Sequence, residues 1–232
     1  MRIMAWVAGT LIFAGCAQHH EMTKVDDSGL SRLNESQMAP VDDARIEEGR
    51  ANDAVAKAKA AEADARARLE VARSEKDVSD AQLKRSVAER DMLKKQYAPR
   101  DQQVRAEEEI ASAQERIHAT ELKSKYFEQL IAVAETERKA AEAHAITAHA
   151  STEKAKYRAM KSADAPQAGA VNPGDLDQQL ASAQAQEAEF QRLAGEQRSA
   201  AVNLYNQWQQ ADSHIRTLAR PTTAVPVPEP AK

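Results

Sequence analysis

Apolar positions along the first long stretch of the chain return with a heptad period. Val41, Val55, Leu69, Leu83 and Tyr97 recur every fourteen residues at one position, and three residues on stand Ala44, Ala51, Ala58, Ala65, Ala72, Ser79, Ser86 and Leu93. That spacing predicts a helix over 41–98 with a coiled-coil seam whose second row is almost wholly small. A second run over 99–163 repeats the device: Ile110, Ile117 and Ile131 share one seam position, while Ala106, Ala113, Thr120, Phe127, Ala134, Ala141, Ala148 and Ala155 share the other. A third helix, 176–219, carries Leu176, Leu180, Ala183, Glu187, Phe190, Ala194, Gln197, Ala201, Leu204, Trp208, Ala211, Ile215 and Leu218 in alternating steps of four and three.

Proline and glycine punctuate the runs. Pro99 separates the first two helices, and Pro166, Gly169, Pro173 and Gly174 predict a loop over 164–175. Pro40, with Asp42 and Asp43 behind it, reads as the start of the first helix. The first seam does not continue in register past Tyr97. A reversal near residue 98 instead sets Ser86 opposite Ile110, Ser79 opposite Ile117 and Ala65 opposite Ile131, so that small faces large. The expectation is an antiparallel hairpin, with one kinked helix as the alternative; the third helix then lies along it in an elongated all-α three-helix bundle. Glu62, Lys76 and Arg90 fall on the seam, where charges select register or oligomer state, or snorkel outward.

Composition narrows the class. Alanine accounts for 48 residues, whereas Val, Ile, Leu and Phe together reach only 37 of 232, and Ala, Glu, Lys, Arg and Leu make up 115. Such a chain builds no deep core, and with 32 basic against 36 acidic residues it lacks the net charge typical of disorder. Long helix or coiled coil is what remains.

The chain opens with Met1-Arg2, a mostly apolar stretch from Ile3 to Phe13, and the small residues Ala14 and Gly15 before Cys16, the only cysteine. The order is that of a signal peptide over 1–15, and its apolar part is too short to cross a bilayer. Leu11-Ile12-Phe13-Ala14-Gly15-Cys16 resembles the lipobox of bacterial lipoproteins. The resemblance implies cleavage before Cys16, acylation of that cysteine, and, because Ala17 rather than an aspartate follows it, an outer-membrane location facing the periplasm. More than one acyl chain makes such an anchor stable. Residues 16–40, with no sustained period, are expected to form the lipidated cysteine and a flexible leash reaching roughly 25–30 Å.

The tail, 220–232, is stiffened by Pro221, Pro226, Pro228 and Pro230 and ends on Lys232. Lipidated start, heptad body and terminal lysine together resemble the murein lipoproteins, which implies Lys232 as a peptidoglycan attachment point. Read from its residues alone, the tail is an extended end open to a proline-binding groove.

Catalytic signatures do not emerge: no Gly-rich phosphate loop, nucleophile elbow or H-E-x-x-H pair occurs, and no cofactor is implied. Glu115 and His118 make one Glu-x-x-His, but Ile117 takes the seam and turns His118 away from it; His144 and His149 lie about 140° apart around a helix, so no metal site is expected. Lys84, Arg85, Arg90, Lys94, Lys95, Arg100 and Arg105 concentrate positive charge at the predicted hairpin tip, against Glu89, Asp91 and Asp101. They are the candidate contact for an anionic partner such as peptidoglycan carboxylates or an acidic protein face. The acidic total and the scarcity of aromatics disfavour nucleic acid. The functional expectation is a non-catalytic, lipid-anchored periplasmic coiled-coil lipoprotein serving as envelope spacer, tether or assembly scaffold, with a homo-oligomer as one way to use the seams. The alternative is a helical-hairpin binding module, either a chaperone or an efflux-adaptor-like component.

Overall fold

A computed structural model describes residues 22–218. Cys16, the expected signal segment 1–15, the tail 220–232 and Lys232 lie outside the described residues. Three long helices fill most of the rest: α1 (Glu35–Lys95), α2 (Arg100–Ser162) and α3 (Pro173–Leu218). Short 3-10 turns, Asp27–Arg32 and Pro166–Ala170, precede α1 and α3. At 1.5 Å per residue α1 and α2 are each about 90 Å long and α3 about 70 Å.

The chain reverses at Pro99. Glu62 meets Arg138 at 2.7 Å, Arg66 meets Glu135 at 2.8 Å and Lys94 meets Glu107 at 3.3 Å, pairs that centre the hairpin near residue 100. Every seam position of α1 from Val41 to Leu93 is buried or half-buried. Tyr97, the fifth member of the fourteen-residue series, is not: it is 93% exposed at the turn.

Both reversals use one device. After α1, Tyr97 N–H donates to the Lys94 carbonyl and Ala98 N–H to that of Leu93; after α2, Asp164 donates to Lys161 and Ala165 to Met160. These paired bonds satisfy carbonyls that a helix end leaves open, at the cost of a left-handed residue usually supplied by glycine. Here Tyr97 (φ 53°) and Asp164 (φ 50°) take that conformation.

α2 is the middle member of the bundle. α1 packs along one side of it and α3 along the other, both antiparallel to it, with hardly any backbone approach between α1 and α3. Besides its first seam, α2 therefore buries a second stripe in heptad steps, Ser112, Glu115, Ala119, Leu122, Tyr126, Gln129, Val133, Thr136, Ala140, Ala143, Thr147, Ala150, Lys154 and Tyr157, all buried or half-buried.

The leash expected over 16–40 is corrected by the structure over residues 22–40. Asn34 caps α1 in a reciprocal capping box with Gln37, so the helix begins at Glu35, and Pro40 lies in its second turn. Ahead of it, residues 22–33 form a strap across the open end of the bundle. Val25 and Leu30 of the strap are buried with Tyr157, Met160, Ala165 and Leu176 in one apolar cluster. Isolated apolar residues without a period, which read as linker, here pack against Met38 of α1, Tyr157 and Met160 of α2 and Leu176 of α3.

Candidate functional site

The two ends of the rod differ in chemistry, and each is built by identifiable residues. At the base, the strap is clamped by polar contacts as well as apolar ones. Val25 N–H donates to Glu153 Oε2 at 2.6 Å, and Lys156 Nζ bridges Glu153 Oε1 and Asp27 Oδ1, both at 2.8 Å. Glu153 is 3% exposed, so these bonds are what make its burial tolerable. Burial alone would depress the Lys156 ammonium; hydrogen bonds to Asp27 and Glu153 outweigh it and hold its pKa above the usual lysine value. Thr23 and Gln179 exchange two further hydrogen bonds, at 3.2 and 2.9 Å, tying the strap to α3.

Along the shaft, charged seam residues of α1 find partners on α2. Glu48 accepts from the His149 ring at 2.8 Å, Glu62 pairs with Arg138, and Lys76 reaches Glu121 at 3.8 Å and Asp80 at 3.1 Å. Hydrogen bonding from Arg138, and then from Arg66 against an opposing effect of burial, holds the Glu62 carboxyl below its ordinary range. At Glu48, burial pushes upward but hydrogen bonds from His149 and Thr152 prevail, and the pKa is again lowered. Of the sequence's expectations for these charges, register selection fits Glu62 best: a slip of one heptad would separate it from Arg138.

His144 turns to Glu187 of α3 and His149 to Glu48 of α1, so the two imidazoles serve different helix pairs. Between α2 and α3, Tyr126, Phe127, Tyr205 and Trp208 form an aromatic cluster with centroids 5.1–6.4 Å apart. Lys123 lies 5.5 Å over the Trp208 ring and pairs with Glu75, at the edge of an open groove of about 290 Å³.

At the far end, Arg90, Lys94, Lys95, Arg100 and Arg105 lie within about 15 Å of the α1–α2 turn along their helices, whereas Lys84 and Arg85 stand about 20 Å back on α1. Arg90 is half-buried and bonds Asp91 at 2.7 Å, and Lys94 pairs with Glu107. Lys84, Arg85, Lys95, Arg100 and Arg105 are exposed and make no ion pair among the described residues. The hairpin also folds Glu107, Glu108 and Glu109 back alongside Met92–Lys94, acids that lie beyond the basic run ending at Arg105. Positive charge is consequently confined to the outermost turns, with Asp101 the one acid there. Tyr97 is the residue that sequence reasoning misplaced: its heptad position marked it as seam, and only the left-handed turn reveals it as the apex.

No protein-family model, curated protein or solved structure matches this chain. Among the described residues no helix is long and apolar enough to cross a membrane.

Proposed function

We propose that this chain is a non-catalytic, lipid-anchored rod of the bacterial envelope, held to the outer membrane through acylated Cys16 and acting as spacer or tether. The observation that carries the reading is polarity. The strap that follows Cys16 is locked onto the base of the bundle, and the hairpin tip stands at the opposite end, about 90 Å away along α1. Only residues 17–21 separate the anchor from the strap, a span of at most roughly 20 Å. An anchor joined so closely to a stiff shaft sets a standoff distance, which a long leash would blur. The alanine-filled seams serve the same end, since they bring helix axes close and leave the shaft thin.

Two outcomes test the reading together. Blocking lipoprotein signal peptidase in cells is expected to leave a precursor longer by residues 1–15, and Cys16→Ser to release the chain from the membrane fraction. Unchanged processing, or a wild-type chain recovered in the soluble periplasmic fraction, would overturn it.

One observation favours the second reading, a helical binding module. Val71 and Val78 of α1 and Val202 and Tyr205 of α3 are exposed at the same level of the shaft, near the aromatic cluster. A chaperone would hold unfolded outer-membrane proteins there, and replacing Val71 and Val78 with serine would weaken that hold without changing the anchor.

A further inference from the structure

We infer that the hairpin tip docks on the headgroup layer of an anionic phospholipid bilayer, so that the rod bridges two membranes; this rests on the anchored-rod reading above. Tyr97 carries the argument. It occupies a left-handed position (φ 53°) where an aromatic residue is strained and glycine would be relaxed, and it places its ring almost fully in solvent at the outermost point of the molecule. Among the described residues nothing covers that ring.

Its surroundings have the pattern of an interfacial anchor. Val104, exposed, lies within about 10 Å of the turn along α2. Lys95, Arg100 and Arg105 stand at the same depth on long stems, and Lys94 beside them shares its charge with Glu107. A tyrosine with an apolar base and a polar tip, ringed by cations, suits the boundary between headgroups and acyl chains. The acids Glu107–Glu109 sit about 10–15 Å back from the turn, clear of a surface that takes up only the apex. An acidic protein or cell-wall carboxylates would use the cations but leave the apolar side chains unused.

The test uses the lipidated full chain in neutral phosphatidylcholine vesicles, mixed with dye-filled acceptor vesicles of phosphatidylcholine alone or with an equal part of phosphatidylglycerol. Flotation of the protein with the neutral vesicles reports the anchor, and capture of acceptors reports the tip. Anionic acceptors are expected to be captured and neutral ones not. Lys95→Gln and Arg100→Gln should each weaken capture about fivefold, and raising salt from about 0.1 M to about 1 M should abolish most of it. Tyr97→Gly should weaken capture several-fold while making the hairpin more stable, so its loss is not a folding defect. Equal capture of neutral acceptors, capture indifferent to Tyr97→Gly, or no capture by a properly floated protein would overturn the proposal; the last would leave the tip to a protein or to cell-wall carboxylates. If the chain does not float with neutral vesicles, the anchor reading fails, and direct flotation with anionic vesicles, wild type against Tyr97→Gly, decides the tip by itself.

Discussion

Leu176→Ala isolates the role of the base cluster. Leu176 is 1% exposed and packs with Val25 and Leu30 of the strap and with Tyr157, Met160 and Ala165. Truncation removes three buried carbons, about 2.4 kcal/mol at about 0.8 kcal/mol each. Part of the cavity adds to this, though the strap, an extended segment and one 3-10 turn, can settle toward it. A total of about 3 kcal/mol follows, near the low end of the range for such changes. The loss should be local, because the shaft seams beyond the cluster do not depend on Leu176. Native-state hydrogen exchange reads it at the Val25 amide, which donates to buried Glu153. About 3 kcal/mol corresponds to an opening constant raised more than a hundredfold. Amides around Ala72, in the middle of α1, should keep their protection. Unchanged protection at Val25, or an equal fall at both places, would refute the view that the strap is a clamp closing one end of an independent shaft.

Other outcomes follow from the same packing. Tyr97→Gly should stabilise the chain by about 1 kcal/mol in urea unfolding, and Asp164→Gly by less, since aspartate tolerates the left-handed region better. Ala72→Leu, at a fully buried seam position, should destabilise by about 1–3 kcal/mol by forcing α1 and α2 apart, visible as a lower melting temperature. Exchanging Glu62 and Arg138 as a double variant should recover stability that either single charge reversal loses, measured in a double-mutant cycle. Glu48, Glu62, Asp177 and Glu189 all have folded-state pKa values below their ordinary ones. Their contribution is thus present above the usual carboxylate range and lost as pH falls through it, so the melting temperature should hold between about pH 5 and 8 and drop toward pH 3.

The seam of α1 was legible because its period is strict and its neighbours polar, and the small-against-large matching located the hairpin within a helical turn. The second stripe of α2 was hidden by its chemistry: Ser112, Glu115, Gln129, Thr136 and Lys154 interrupt the alanines, so only its heptad spacing, followed on the face opposite the isoleucines, could have exposed it. The strap escaped for a different reason. Val25 and Leu30 owe their burial to contacts with residues more than 120 positions away, and no local pattern records such contacts. At the tip, the cations were readable as a cluster, but the balancing glutamates and the outward turn of Tyr97 depend on where the chain reverses and on the conformation at that point.

The most direct test of an anchored rod with its tip held away from the membrane is a pair of energy-transfer measurements in neutral vesicles. Cys16 is the only cysteine, and acylation would leave an introduced thiol as the sole labelling site. Labels at Ser31→Cys, in the strap, and Gln102→Cys, beside the tip, are read against an acceptor dye carried by the lipids. Strong transfer from residue 31 and almost none from residue 102, about 90 Å further along the shaft, is the expected result. Equal transfer from both positions, or stronger transfer from residue 102, would contradict it.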